Sequence, residues 1–175
     1  MRGIEMNVST YLTDLQIEEI VKTISNTCIR YRAYDKQFKD LFYEPYTTMR
    51  KKASVTSAVI SAFSPDRCHI SGFTSQDIYY GLHNQLTQPE LISDSVVLQI
   101  YSNGSDLKGK PIKEKSELYN RDLTTLPIFM IIVFSASKEG WLNQIQIKLP
   151  DVTGEIIDEE IIYTKPKVSV KPDSG

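Results

Sequence analysis

The sequence has few of the residues that mark specialised classes of protein. Its two cysteines, Cys28 and Cys68, are too few for a disulfide framework and predict reduced thiols. Its charges nearly balance, with a net charge of -2, so the chain as a whole is not expected to attract nucleic acid or anionic membranes. It contains no apolar run close to the roughly 18 residues that a membrane-spanning helix needs. These absences predict a protein without membrane association.

The beginning of the chain also lacks the apolar core of a secretion signal, and an acid, Glu5, lies where that core would be. We therefore predict a cytoplasmic protein. The composition, 41% hydrophobic and 24% charged, is typical of globular proteins. A chain of 175 residues is long enough to bury a core within a single domain.

The most apolar stretch, residues 128–134, contains seven consecutive apolar side chains. It is short for a helix and rich in β-branched and aromatic residues, which predicts a strand buried on both faces. Residues 141–149 alternate between polar and apolar side chains and predict a half-exposed strand paired with the first one. Residues 96–101 predict another strand, and residues 156–163 predict a weaker, acidic strand or helix.

Three helices are predicted outside the middle of the chain. Thr13 and Gln16 fit a capping box, and apolar residues recur beyond them at helical spacing, so an amphipathic helix is expected over about residues 13–30. A short second helix is predicted over residues 31–46, ended by a proline. Residues 111–119 predict a third helix with a proline in its first turn.

The middle of the chain is predicted to form a β-hairpin followed by a helix. Residues 53–63 alternate small and apolar side chains, which predicts a largely buried strand. A turn follows, and residues 68–73 are predicted to be the return strand. Thr74 or Ser75 then caps a predicted helix that reaches about Leu86.

This order of elements predicts an α+β fold, in which N-terminal helices pack on a mostly antiparallel β-sheet with one inserted helical connection. We expect one domain over residues 1–164, with a helical part at about 13–46 and a sheet part at about 53–163. The tail, residues 165–175, is expected to be flexible.

One short motif resembles a phosphate-binding loop. Gly104, Gly109 and Lys110 satisfy the pattern G-x-x-x-x-G-K directly after a predicted strand, and such loops surround phosphates with backbone N–H groups. The next residue should carry a hydroxyl for magnesium, but it is Pro111. A phosphate or nucleotide site at residues 104–110 is therefore one alternative, and it requires the N–H groups to converge at the start of the helix.

A second alternative is a divergent magnesium-dependent nuclease that loosely resembles the restriction-endonuclease-like pattern. Such sites need carboxylates around magnesium and a lysine near the attacking water. The chain offers Asp66 in a turn, an acid-x-lysine pair at Asp106 and Lys108, and a similar pair at Gln146 and Lys148 with an amide in place of the acid. This hypothesis requires those side chains to converge on one position.

Other catalytic patterns are weaker still. Cys68, His69 and His83 invite a metal site, but neighbouring residues on a strand point to opposite faces, and three ligands from two elements are sparse. No Gly-x-Ser-x-Gly motif marks a nucleophile. We therefore predict no metal and no cofactor.

Aromatic and basic residues are interleaved between residues 30 and 52. Their first interpretation is packing of the helices onto the sheet; a protein interface comes second and a nucleic-acid surface third. Our leading hypothesis is a non-catalytic binding or interaction module for a protein partner, with nucleic acid as the other partner class. The predicted binding surface comprises Arg30, Arg32, Tyr34, Arg50, Lys51 and Lys52.

Overall fold

The structure is a computed structural model that describes residues 10–41, 54–79, 87–105 and 107–167. The elements within those ranges are α1 (Asp14–Leu41), α2 (Val55–Ser61), β1 (Thr74–Tyr79), β2 (Thr87–Ile92), β3 (Val96–Ser102), α3 (Lys110–Tyr119), β4 (Ile128–Ala136), β5 (Leu142–Pro150) and β6 (Ile156–Thr164). No helix in those ranges is both long and apolar enough to cross a bilayer.

The six strands form one mixed sheet, and they lie side by side in the order of the sequence. Four of the five strand pairs are antiparallel, and only β3 and β4 run parallel. A parallel pair needs a crossover connection, and α3 provides it. The predicted α+β fold, with a mostly antiparallel sheet and one inserted helical connection, is thus confirmed.

Both faces of the sheet are covered. Successive side chains of a strand point to opposite faces, so one set of residues on β3 and β4 packs against α1 and α2, while the alternate set packs against α3. The whole stretch from Ile128 to Phe134 is buried, as predicted from its composition. The central strand therefore lies at the middle of a three-layered core.

Helix α1 begins at the predicted capping box. The Thr13 backbone N–H donates to Gln16 Oε1 at 3.0 Å, and the Gln16 backbone N–H donates to Thr13 Oγ1 at 3.1 Å. Ile20, Ile24 and Cys28 recur at helical spacing and are fully buried against the sheet. The predicted break near residue 31 is wrong, because the helix continues without interruption to Leu41.

The predicted strand over residues 53–63 is also wrong, since this segment forms α2. Ser54 caps the helix, and its Oγ accepts a hydrogen bond from the Ser57 backbone N–H at 3.1 Å. Val55, Val59 and Phe63 are buried, and they are spaced four residues apart. That spacing also fits the alternating pattern of a strand, so periodicity alone does not distinguish the two structures.

The predictions for the next segment, a strand followed by a helix, are also wrong. Residues 68–73 form turns and irregular structure instead of a return strand, and residues 74–79 form β1 instead of a helix. β1 pairs with β2 along its full length. Pro89 lies within β2 opposite Asp77. A proline within a segment argues against a strand, so the sequence does not predict β2. Residues 80–86 lie outside the described residues.

The elements after β2 agree with their predictions. β3, α3, β4 and β5 lie where the sequence places them, and the acidic segment near the end is a strand, β6, paired with β5. The tail prediction falls mostly on residues 168–175, which lie outside the described residues. Lys165 is held in place, since its backbone N–H donates to the Asn143 carbonyl at 2.8 Å.

The turn between β4 and β5 fixes the contact between α1 and the sheet. Gly140 has a φ of 97°, and a Cβ at this position would lie 3.1 Å from the Cys28 carbonyl oxygen. Only glycine suits both the left-handed backbone and the close approach of the helix. The turn therefore brings Trp141 next to α1.

Candidate binding groove

A groove of about 830 Å³ lies between α1, α2 and the turn that follows α2. We call it the helix groove. Most of its side chains are hydroxyl, amide or cationic, and the two alanines come from α2. The lining consists of Thr23, Asn26, Thr27, Arg30, Tyr31 and Tyr34 from α1, Ser54, Ser57, Ala58, Ser61 and Ala62 at α2, and Asp66, Arg67 and His69 from the turn.

The α1 wall is a single stripe of the helix. Its members are three or four residues apart, which places them on one side of an α-helix. Thr23 and Thr27 each donate their hydroxyl to the backbone carbonyl four residues earlier, at 2.7 Å. Their hydroxyl oxygens keep acceptor lone pairs toward the groove, while Asn26 and Arg30 supply N–H donors.

The α2 wall is made of small residues. Ser57, Ala58, Ser61 and Ala62 line the groove, while the larger Val59 faces the core. Small side chains leave space between the two helices, and this space is the groove. The serines and alanines that predicted a buried strand therefore lie on one side of a helix, where they form a wall of the groove.

The turn after α2 is tied to α1 by a carboxylate. Glu19 Oε2 accepts a hydrogen bond from the Ser71 backbone N–H, and its Oε1 accepts one from the Ser71 hydroxyl, both at 2.7 Å. Both contacts hold the pKa of Glu19 below its ordinary value, and the Ser71 hydroxyl has the larger effect. This link positions the neighbouring residues Arg67 and His69 at the end of the groove.

The charges in the groove are predominantly positive. Arg30 and Arg67 are exposed, and neither guanidinium forms a hydrogen bond or an ion pair within the described ranges. His69 is exposed beside them, and Asp66 is the single acid of the lining. A site with several N–H donors and few carboxylates suits a ligand rich in acceptor oxygens, such as phosphates or carboxylates.

Two tyrosines lie on the α1 side of the groove. Tyr31 is 7% exposed and packs with the main core, as the packing interpretation of these aromatics expects. Tyr34 is 44% exposed, and its ring centroid lies 6.0 Å from that of Tyr31 at an interplanar angle of 47°. The buried ring therefore supports the exposed one.

The predicted binding surface is only partly brought together. Arg30 and Tyr34 line the helix groove, whereas Arg32 lies with its guanidinium 4.0 Å from the Trp141 ring and donates to the Gly140 carbonyl at 3.1 Å. Arg32 therefore fastens α1 to the β4–β5 turn. Arg50, Lys51 and Lys52 lie outside the described residues. The sequence reasoning missed Asn26 and Arg67, although Asn26, Arg30 and Tyr34 are spaced four residues apart.

The described residues of the nuclease hypothesis lie in different parts of the molecule. Asp66 lies at the helix groove, while Gln146 and Lys148 alternate with the buried core residues of β5 and point to the opposite face of the sheet. There, Lys148 pairs with Glu159 at 3.3 Å. Lys108 lies in the loop before α3, and Asp106 lies outside the described residues. Asp66 is thus not brought together with Gln146 and Lys148.

A different polar cluster lies under α3, and we call Glu90, Gln99, Tyr101 and Lys115 the buried polar cluster. Glu90 lies directly opposite Gln99 on the neighbouring strand, and Gln99 Nε2 donates to Glu90 Oε2 at 2.9 Å. The Lys115 ammonium lies 3.1 Å from both Glu90 oxygens, and the Tyr101 hydroxyl donates to Gln99 Oε1 at 2.6 Å. Sequence reasoning missed this cluster because β2 was not predicted.

The phosphate site at the loop from Gly104 to Lys110 stays a prediction. A Cβ at Gly104 would meet no protein atom within 4 Å, so packing within the protein does not require glycine there. The Lys110 ammonium lies 3.6 Å from Glu114, one turn along the exposed surface of α3. Gly109 precedes the helix without a side-chain cap, and Pro111 occupies its first turn as predicted.

Metal ligands are not gathered in the part of the chain that the structure describes. No group of three or more histidine, cysteine, aspartate or glutamate side chains lies together there. Cys68 is partly buried against the core, and this burial raises the pKa of its thiol. His69 belongs to the helix groove, and His83 lies outside the described residues.

Comparison of the chain with protein-family models, with curated proteins and with solved structures finds no match. The function therefore has to be argued from the chemistry of the helix groove and of the buried polar cluster.

Proposed function

We propose that the protein is a non-catalytic binding module that recognises an anionic partner in the helix groove. The observation that carries this proposal is the pair of exposed arginines, Arg30 and Arg67, which face one groove without a protein acceptor in the described ranges. Arginine holds phosphate and carboxylate groups through several N–H donors in a fixed geometry. The hydroxyl and amide groups along both walls supply further polar contacts for the same ligand.

The local charge also explains how an acidic protein can bind an anion. The net charge of the chain is -2, so the overall field does not attract anions. Salt screens electrostatic interactions beyond roughly 10 Å at about 0.1 M. The groove arginines therefore determine whether an anion is attracted to the groove, and distant acids have little influence.

The test is retention on a column that carries immobilised phosphate groups. The R30A/R67A variant is expected to elute at distinctly lower salt than the wild-type protein. The control is K110A/R121A, which removes the same charge from two exposed ion pairs at α3, on the other side of the sheet. Equal losses in both double variants would contradict the proposal, because net charge alone would then explain retention.

A magnesium-dependent nuclease is the second candidate, and one observation favours it. The buried polar cluster combines a carboxylate, an amide and a lysine from two adjacent strands and a helix, and Glu90 is fully buried. Magnesium is often held by only one or two carboxylates together with substrate phosphates. Both oxygens of Glu90 are already bonded, so the ion has to displace Lys115, which is then available to a phosphate.

Calorimetric titration with manganese tests this candidate. Binding that disappears in E90Q, together with cleavage of a labelled oligonucleotide by the wild-type protein, would support it. An absence of heat, or binding that E90Q retains, would contradict it. Lys22→Ala serves as a control for nonspecific effects, since Lys22 forms an exposed pair far from the cluster in sequence.

A further inference from the structure

We infer that the ligand of the helix groove is single-stranded nucleic acid, held by its phosphates at the arginines and by a base stacked on Tyr34. This inference rests on the proposed function and specifies the partner. Arg30 and Tyr34 are one turn apart on α1, so a guanidinium and a half-exposed aromatic ring lie next to each other along one wall. Adjacent cations and aromatic rings are what single-strand sites use for successive phosphates and bases.

The groove offers few aliphatic side chains that could anchor a protein partner. Protein interfaces place aromatic or aliphatic anchors in desolvated pockets. In the helix groove, the aliphatic side chains of the lining are only Ala58 and Ala62, and the remaining positions are polar, charged or tyrosine. Hydroxyl and amide groups distributed along both walls suit the sugar and phosphate oxygens of a nucleic acid better than an apolar anchor.

The shape of the groove favours a single strand over a duplex. The α1 stripe runs from Thr23 to Tyr34, and the eleven helical steps between them correspond to about 16 Å along the helix axis. This length accommodates a short extended segment between two helices. Stacking on Tyr34 also requires a base whose face is accessible, and the bases of a duplex are stacked on one another.

Fluorescence anisotropy with labelled oligonucleotides of about 12 nucleotides, a length within the range of known single-strand sites, tests the inference. The probes are mixed-sequence single-stranded DNA, the same sequence as RNA, the duplex, and poly-glutamate. We expect the single strands to bind and the duplex to bind at least tenfold more weakly. For R30A and for R67A, the slope of log affinity against log salt should fall by about 0.7 each.

Tyr34→Leu separates stacking from charge. We expect it to weaken single-strand binding about tenfold while leaving the salt slope unchanged, because a stacked ring neutralises no phosphate. K110A/R121A again serves as the charge-matched control and should keep the wild-type slope. Circular dichroism of each variant checks that it is folded.

The outcomes distinguish this inference from the proposed function. Poly-glutamate binding that R30A/R67A abolishes, without oligonucleotide binding, would overturn the nucleic-acid inference and leave an anion-binding groove. Equal affinity for duplex and single strand, or no effect of Tyr34→Leu, would overturn stacking in the groove. Binding of neither polymer would overturn both proposals.

Discussion

Polar side chains on the two sides of the sheet have different partners. Under α3, Glu90 accepts hydrogen bonds from Gln99 and Lys115 at about 3 Å, and all three side chains are buried or mostly buried. In the helix groove, Arg30 and Arg67 are exposed, and their guanidinium groups have no bonded partner in the described ranges. A buried polar group needs a protein partner, whereas an exposed one exchanges water for a ligand. The first set therefore has its bonding partners within the protein, and the second set is suited to binding.

This comparison predicts a separation of effects on mutation. Changes in buried polar groups should lower the free energy of unfolding, and changes in the helix groove should alter binding alone. Four predictions follow from it, ordered by their expected effect on stability. Each one can contradict the separation.

The largest effect is expected at Asn120, a buried residue that links two strands. Its Nδ2 donates to the carbonyls of Phe129 and Pro150 at 2.9 and 2.8 Å, and its Oδ1 accepts from the Phe129 backbone N–H at 2.8 Å. Asn120→Ala leaves these three groups unpaired and should lower the free energy of unfolding by roughly 4 kcal/mol. Urea denaturation followed by circular dichroism measures it. Asn143→Ala, an exposed control, should change stability by less than about 0.5 kcal/mol.

The second effect concerns the ion pair of the buried polar cluster. Lys115→Met leaves the Glu90 carboxylate buried without its cation and should cost about 3 kcal/mol of stability. Replacing both residues, as in E90L/K115M, removes the unpaired charge and should restore most of that loss. The same urea titration measures both variants. If the double variant is as unstable as the single one, the cluster stabilises the fold through packing rather than through charge pairing.

Elements with strong local signals could be predicted from the sequence. The capping box of α1, the apolar run of β4 and the alternation of β5 depend on nearest neighbours along the chain, and all three are confirmed. The single helix from Asp14 to Leu41 was predicted as two. Its aromatic second half remains helical because Tyr31 extends the same buried stripe as Cys28.

Elements that depend on distant partners could not be predicted. β1 and β2 are stabilised by pairing with each other and with β3. This pairing leaves no local pattern in the sequence from which the strands could be predicted. The segment of α2 fits either a strand or a helix by its small residues, and its packing on α1 and the core decides. The buried polar cluster and the helix groove both depend on these elements. For that reason the sequence predicted Arg30 and Tyr34 but neither Arg67 nor Glu90.

The third effect depends on pH and concerns Glu19, which ties the turn after α2 to α1. Its pKa in the folded protein is lowered by the Ser71 hydroxyl and then by the Ser71 backbone N–H. A lowered pKa means that the contact stabilises the fold above the ordinary value of 4.5 and that this contribution is lost as the pH falls through the native pKa. Glu19→Gln should thus be less stable than the wild-type protein at neutral pH, and the difference should shrink below pH 4.5.

Urea midpoints measured at neutral and at acid pH test this expectation. Glu18→Gln provides the matched control, because Glu18 forms only an exposed pair with Lys22 one turn away. A difference between Glu19→Gln and the wild-type protein that stays constant with pH would show that the contact acts through geometry rather than through the carboxylate charge.

The smallest effect on stability is expected in the helix groove. Arg30 and Arg67 are exposed and unpaired in the described ranges, so R30A/R67A should change the free energy of unfolding by less than about 0.5 kcal/mol. The same variant should lose binding to phosphate-bearing probes, which is the largest functional effect expected of any variant here. Urea denaturation and column retention measured on one preparation check both statements. A marked loss of stability would mean that the arginines hold the helices together, and the two faces of the sheet would then use their polar residues alike.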